Sequence, residues 1–513
     1  MINDTEQGLR IDSLKVHMSE VELFNTKSTG VVITAPYAQF DFGGSVIRDS
    51  LYDGVQIQSL GSRGVANVSV LNSGNNGIHI QSKFGLVKVV HVNISSSSSA
   101  GINIKYSYDH LVSQSVIVEN SIVENHHNDD GLKIKTQSNL GPSFVNVRGN
   151  TMKNNTVGSL SVEVIAPQRL QRPLNENRSV SIVDNVFEHG GPVAVWAVNN
   201  VSVEVENNEF KAGGDQSDCL LLVRAELSET QASTDKWRKV HVDGNIFNSV
   251  SGECVVELRS SPSEIFSGEF THNNITQSYS SLATVRIKSG KYRLNDNNFD
   301  NPRSRLEAYV EVEHPGGSLV GSINAENNWW GTTVLSEIYA RVYDREEDPD
   351  VYSLDVQPFQ GHMIFDCSKV NSCSGRGDCI GQNTCGCHSG WAGPKCGEYD
   401  CADVSMCQGH GDCSGPNKCD CFSGWFGTTC ETPICSSVNN CSSQGTCISP
   451  NSCRCDSGFQ GANCTDVVPP TTISDQSVPS QNPTTGDSIS KCERAVFNPV
   501  LILASCLLLI FLK

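Results

Sequence analysis

Asn72-Ser73-Gly74-Asn75-Asn76-Gly77-Ile78-His79-Ile80 sets a pattern that returns from residue 20 to about residue 330. An Asn or Asp is followed, after four residues, by a glycine and a β-branched alternation. Asn25 leads in this way to Gly30 and Val31-Val32-Ile33, and Asp49 to Gly54 and Val55-Gln56-Ile57. Asn185 leads to Gly190 and Val193-Ala194-Val195, and Asn208 to Gly213. Looser copies centre on Asn93, Asn120, Asn150, Asn245, Asn273, Asn297 and Asn328, at intervals of 21 to 37 residues. A period in the twenties, with short Val/Ile strands and no helical stripe, is a solenoid signature. Each strand alternates inward and outward side chains, and no single turn can bury its inward face. Stacking turns roughly 4.8 Å apart pairs every strand with the next copy and builds one continuous core. Asn and Gly mark corners that need a left-handed or bridge conformation, and an Asn repeated at one corner can hydrogen-bond along the stack. Irregular intervals mean insertions on the loop faces. No Leu-x-x-Leu-x-Leu framework supports a leucine-rich repeat, and a β-sandwich need not repeat one corner motif. The expectation is a mainly β chain with a right-handed parallel β-helix over residues 1–335 and a cap and connector over 336–366. The cap would use Trp329, Trp330 and a short helix carrying Ile338, Ala340, Arg341 and Val342, because open strand edges recruit other chains.

Farther along, eighteen cysteines form three copies of Cys-x5-Cys-x5-Cys-x5-Cys-x-Cys-x8-Cys with a period of 34 residues. They span 367–396, 401–430 and 435–464. Segments this short cannot bury a sizeable core, so covalent bridges must hold them, outside the reducing cytosol. Zinc sites usually pair cysteines two to four residues apart, and no copy contains Cys-x2-Cys. Six cysteines allow 15 pairings, among which spacing does not choose. Cys219 and Cys254 open consecutive strands of the solenoid, where stacking would set their Cα atoms roughly 5 Å apart. They form either a bridge or two stacked thiols.

The spacing resembles EGF-like modules of the short type found in tenascins and teneurins. The closing loops agree, as Gly390-Trp391-Ala392-Gly393, Gly424-Trp425-Phe426-Gly427 and Gly458-Phe459-Gln460-Gly461. The resemblance implies Cys367–Cys379, Cys373–Cys385 and Cys387–Cys396 in the first copy. It implies Cys401–Cys413, Cys407–Cys419 and Cys421–Cys430 in the second, and Cys435–Cys447, Cys441–Cys453 and Cys455–Cys464 in the third. Calcium-binding members carry an acidic cluster before the first cysteine. Here Met363–Asp366, Gly397–Asp400 and Glu431–Ile434 fall short of six oxygen ligands, so no metal is expected. The solenoid's ending, Asn327-Asn328-Trp329-Trp330-Gly331-Thr332-Thr333, resembles the block endings of β-helix repeats in the bark beetle (Anakonda) family of insect tricellular-junction proteins. That resemblance covers residues from roughly 20 to 360. The family's scavenger-receptor and lectin-like modules are absent, and EGF-like modules stand in their place.

The net charge of −19 makes nucleic acid and anionic lipid poor partners. Asn-x-Ser/Thr sequons at Asn3, Asn67, Asn93, Asn154, Asn177, Asn200, Asn274, Asn440 and Asn463 are glycan acceptors in a secreted chain. Met1 to Gly30 lacks the apolar stretch of a signal peptide, and the repeats begin in register near residue 9, so the start of a longer precursor is expected to be missing. Residues 465–494 read as a Pro/Ser/Thr-rich stalk. The tail, 495–513, carries an unbroken apolar run from Val500 to Leu512. That run is short for a span of roughly 20 residues. With small residues at Gly486, Ser488 and Ser490 it fits a GPI signal attached at Ser488, ahead of a single-pass helix starting near Ala495.

Many β-helices of pectin-lyase-like type are polysaccharide lyases or hydrolases. Three fragments suggest such chemistry: Asn128-Asp129-Asp130-Gly131, Glu188-His189-Gly190-Gly191 and Val285-Arg286-Ile287-Lys288. Counting repeats puts the first two roughly 10 Å apart along the axis and the third roughly 14 Å farther, too far to meet on one sugar. No catalytic residue and no cofactor is therefore expected. Arg376-Gly377-Asp378 lies on a disulfide-held loop, the arrangement integrins read, although His410-Gly411-Asp412 and Gln444-Gly445-Thr446 show that the glycine is structural. Together these features point to a cell-surface glycoprotein for adhesion or matrix recognition. Its β-helix would meet an extracellular protein or glycan, homophilically or through an integrin, with the EGF-like modules as spacers and the membrane reached through the C-terminal anchor. The alternative is a surface polysaccharide lyase or hydrolase.

Overall fold

The structure is a computed structural model. It describes residues 2–3, 8–12, 15–17, 19–34, 38–61, 63–106, 113–137, 143–165, 178–198, 201–213, 218–226, 240–260, 266–311, 321–363, 365, 367–381 and 383–469. Two units divide it: Met1–Met406 with Cys413–Cys419, and Cys407–Asp412 with Asp420–Lys513.

The first unit carries a parallel β-helix. One turn shows the plan: strand Ser143–Arg148, a two-residue corner, strand Thr151–Lys153, a second corner, and strand Gly158–Ile165. Each strand pairs in parallel with its equivalent one turn on, as Val145 with Val180, Met152 with Phe187 and Leu160 with Val193. The last strand type builds a sheet of 13 strands from Leu9–Ile11 to Val342–Tyr343. Its inward column, from Val31 through Val55, Ile78, Ile102, Leu132, Leu160, Val193, Leu221, Val256, Val285 and Ala308 to Val342, is buried throughout. The three-residue strands stack aromatics instead: Phe187, Phe210 and Phe247 lie 4.9 and 4.4 Å apart, ring centre to ring centre. Burying a β-branched or aromatic side chain contributes roughly 1.5–3 kcal/mol. The repeat therefore gains stability turn by turn although no turn stands alone.

From Arg63–Leu71 to Asn298–Asp300 the first corner holds two residues, whereas four stand there between Asp41 and Val46 in the earlier strand Ala38–Arg48. A left-handed residue comes first, as at Gly149, Asp184, Asn207, Gly244, His272, Asp296 and Asn327, and a buried Asn follows. These asparagines form a column. The backbone N–H of Asn150 donates to Asn185 Oδ1 at 3.0 Å, that of Asn185 to Asn208 at 3.0 Å, and that of Asn208 to Asn245 at 2.9 Å. The column continues through Asn273 and Asn297 to Asn328. Each amide also donates to a carbonyl of the turn before, as Asn208 Nδ2 to Ile182 O at 2.8 Å. Such a column satisfies corner N–H groups that burial would otherwise orphan.

The single Asn-to-Gly motif turns out to describe two corners. Asn25, Asp49 and Asn72 are left-handed residues of the second corner, which precedes the 13-stranded sheet. Asn185 and Asn208 belong to the column of the first. Both corners need a left-handed residue followed by a small polar one, so one sequence pattern serves both. Asn120 is itself a left-handed residue beside Ser121, which stands at the column's position and whose N–H donates to Asn150 Oδ1 at 3.0 Å, and Asn93 lies exposed on a short strand. At the second corner the partners vary: Ser97 N–H donates to His126 Nδ1 at 3.2 Å, and His126 N–H to Asn155 Oδ1 at 3.2 Å. Length varies most at the third corner, which follows the 13-stranded sheet; 166–177 and 227–239 fall there.

The stacking continues past residue 335. Trp330 is buried and stacks on Phe299 at 4.9 Å, one turn beyond the last aromatic of the short face. The helix is shorter than expected, Leu335–Tyr339, with Ile338 buried. Val342 lies beyond it, on the strand that closes the 13-stranded sheet. Ser353–Asp355 then pairs with Ser322–Asn324, and Asn327 N–H donates to Pro358 O at 2.6 Å. Under this cap Glu307, fully buried, meets Arg341 at 2.7 Å and accepts from Asn301 N and Nδ2 at 3.0 Å each. Cys219 and Cys254 are bridged, with Cα atoms 4.4 Å apart in register.

The cysteine copies are three small modules, each with an antiparallel hairpin such as Gly377–Gly381 with Thr384–Cys387. Bridges join Cys367–Cys379, Cys373–Cys385 and Cys387–Cys396; Cys401–Cys413 and Cys421–Cys430; and Cys435–Cys447, Cys441–Cys453 and Cys455–Cys464. Cys407 and Cys419 are each disulfide-bonded. Among the described residues no helix is long and apolar enough to cross a membrane.

Candidate recognition surface

The outward face of the 13-stranded sheet carries charge in closed pairs. Lys135 meets Glu163 at 2.6 Å, Arg259 meets Glu226 at 2.9 Å, and Arg224 meets Glu257 at 3.6 Å. Arg286 sits among three carboxylates, Glu311 at 2.6 Å, Glu253 at 3.4 Å and Glu257 at 3.6 Å. Trp196, 46% exposed, stands between Glu163 and Arg224 in register. Parallel pairing puts successive outward residues in straight rows, so neighbours of opposite charge neutralise each other.

The three suggestive fragments stay apart. Asp129-Asp130 opens the strand Asp130–Gln137, while His189 precedes Val193–Val198, two turns on, and Arg286 lies three turns beyond that. Asp129 accepts from Lys133 Nζ at 2.8 Å and from the Asp130 N–H at 2.9 Å. Partial burial pushes its carboxyl up, but these donors hold it below the ordinary value. Asp130 is raised, by burial first and then by the neighbouring Asp129, against the pull of Lys133 at 3.7 Å. His189 is a left-handed corner residue with Nδ1 3.5 Å from Glu188.

Arg376-Gly377-Asp378 is not a free loop tip. Gly377 and Asp378 lie in the hairpin strand, paired with Cys387 and Gly386. The Arg376 guanidinium packs on Trp391, 3.7 Å from the ring centre, while Asp378 is 81% exposed and 3.3 Å from His388 Nε2. His410 stacks on Trp425 in the same way, 3.4 Å ring to ring. A Cβ on Gly377, Gly411 or Gly445 would come within 2.8 Å of the sulfur of Cys396, Cys430 or Cys464. The glycine is therefore required by the bridge, and in the first two modules the residue before it covers the aromatic.

Two grooves escape the sequence because separate, successive turns supply their walls. One, about 540 Å3, is lined by Asn25, Lys27, Asp49, Leu51 and Asn72 among others. The other, about 840 Å3, is lined by Ser249–Ser251, Gln277–Tyr279, Asp300, Pro302 and Arg303. Its one sequence signal is the added length between Asn298–Asp300 and Ala308–Glu311 at the second corner.

Of the sequons, Asn67, Asn93 and Asn440 are exposed, and Asn154, Asn274 and Asn463 are half-buried. Asn3 lies at the end of a two-residue strand. Asn177, Asn200, the stalk from residue 470, the tail and Ser488 lie outside the described residues.

The EGF-like domain family matches residues 401–430 and 435–464, the second and third modules. No curated protein and no solved structure matches the chain. The matched modules and their bridges mark an extracellular or cell-surface protein with a large parallel β-helix ahead of them.

Proposed function

We propose that the chain is a cell-surface glycoprotein whose β-helix recognises an extracellular ligand, in adhesion or matrix binding, without catalysis. The observation that carries this is the array of bridged EGF-like modules following the β-helix in one chain. Extracellular chains use such modules as spacers and contact points, and the long parallel β-helix supplies the larger surface. The dispersal of Asp129, His189 and Arg286 along the axis supports recognition over hydrolysis, which needs its carboxyl groups about one sugar. Under this proposal the stalk, 465–494, and the tail, 495–513, carry the anchor, by GPI attachment at Ser488. The distant likeness to junction proteins of the bark beetle family adds cell–cell contact as the setting.

The test is cell aggregation. The full chain, given a secretion leader, is displayed on non-adhesive suspension cells beside Asp378→Glu. Clustering of expressing cells, retained in Asp378→Glu, is the expected result. Clustering lost in that variant would move the recognition to the first module and an integrin. No clustering and no attachment to extracellular matrix, despite verified display, would remove adhesion altogether.

A further inference from the structure

We propose that the groove at the second corner of the last turns binds a saccharide, an inference that rests on reading the β-helix as the recognition element. Three successive turns form it, and their backbone is fixed from beneath. Gln277 N–H donates to Asp300 O at 3.0 Å, Ser278 N–H to Asn301 Oδ1 at 2.9 Å, and Ser280 N–H to Ser304 Oγ at 3.0 Å. Ser304 N–H closes the turn on Asn301 O at 2.9 Å. The groove is thus preformed, and its volume of about 840 Å3 falls in the usual range for small-ligand sites.

Its lining chemistry is what a sugar needs. Among the described residues the side chains of Gln277, Tyr279, Asp300 and Arg303 make no hydrogen bond or ion pair; the Arg303 guanidinium only faces the Tyr279 ring at 5.9 Å. This contrasts with Arg224, Arg259 and Arg286 on the neighbouring sheet face, each closed by glutamate. A carboxylate, a carboxamide and a guanidinium each present two coplanar polar atoms, which suit a pair of adjacent hydroxyls. The Tyr279 ring offers a flat surface to the C–H face of a pyranose, with the phenol free to bond at its edge. A lipid would find only Val250, Pro302 and the ring as apolar wall. A bare phosphate or sulfate would meet Asp300 beside the one cation, Arg303.

The experiment displays the full chain on suspension cells and measures capture of biotinylated oligosaccharides: neutral ones ending in mannose, galactose or N-acetylglucosamine, and a hyaluronan hexamer as the acidic probe. Tyr279→Ala and Asp300→Ala are compared with wild type at equal display, and Arg303→Ala serves if either fails to reach the surface. The expected result is capture of one class, weakened tenfold or more in each variant, with Tyr279→Phe keeping most of it. No capture of any probe, or capture equal in all variants, overturns the proposal. Clustering of the same cells without capture overturns the groove and leaves adhesion standing. Capture that depends on Tyr279, without clustering, supports the groove and removes homophilic adhesion.

Discussion

Asn245→Ala cuts the asparagine column at its middle, and its cost follows from the bonds that end there. Asn245 Oδ1 accepts from Asn208 N–H at 2.9 Å and from Asn208 Nδ2 at 3.0 Å. Its Nδ2 donates to Val205 O at 2.8 Å and to Asn273 Oδ1 at 3.0 Å. All of these atoms are in buried surroundings, and Asn245 itself has no exposed surface. Alanine leaves two donors of Asn208 without a partner and strips Val205 O of one. At about 1–3 kcal/mol for each orphaned buried donor, the loss is about 2–6 kcal/mol. Asn245→Asp does no better, because it sets a carboxylate oxygen against Val205 O and Asn273 Oδ1 in a buried site. Asn93→Ala, on an exposed short-strand position, should stay within about 0.5 kcal/mol. Urea unfolding of the full chain, followed by tryptophan fluorescence, reads all three variants. If Asn245→Ala lies within about 1 kcal/mol of wild type, or matches Asn93→Ala, the column is ornament and the argument from orphaned donors fails.

Arg341→Ala strands the carboxylate of Glu307 in the cap and should cost about 3–5 kcal/mol in the same unfolding experiment; a change under about 1 kcal/mol would refute the ion pair's role. His126 is held below its ordinary value by burial, so the folded protein disfavours its protonation. Stability from this group is present above about pH 6.5 and falls as the pH drops below it; His126→Asn, which keeps a ring-free acceptor in the column that Asn155 continues, should flatten that slope, and an unchanged slope would assign it elsewhere. Cys219→Ala with Cys254→Ala opens a 35-residue loop and should cost about 2–4 kcal/mol, while non-reducing peptide mapping of wild type should recover the linked pair; separate peptides would refute the bridge.

The solenoid was legible because its constraints are local and repeated. Left-handed corners favour Asn, Asp or Gly, and inward strand positions demand Val, Ile or Leu, so the pattern survives irregular intervals. The column from Asn150 to Asn328 contains residues that the repeat already marked, because a buried corner amide has few substitutes. Two corners merged into one motif, since both ask for a left-handed residue followed by a small polar one. The bridge between Cys219 and Cys254 remained a choice between thiols and disulfide, as stacking brings the pair together either way. The Gln277–Arg303 groove left only the added length before Ala308 as a trace, because its walls come from separate turns and its residue types recur everywhere on a soluble surface. The setting of Arg376-Gly377-Asp378 was not legible either: a short exposed tripeptide says nothing of the ring on which its arginine rests.

Along the turns that carry the amide column, from Asn150 to Asn297, the first corner holds two residues, whereas the third has taken up segments such as 166–177 and 227–239. One added residue at the first corner would throw the amide column out of step above and below, and the whole stack would feel it. Among the described residues an added residue at the third corner meets no such column. Added length in this chain thus falls mostly along that third-corner seam, and to a smaller extent at the second corner. That seam is where the coil can absorb inserted residues at least cost, while the amide column on the opposite edge sets the step of the stack, as the spine does for a book.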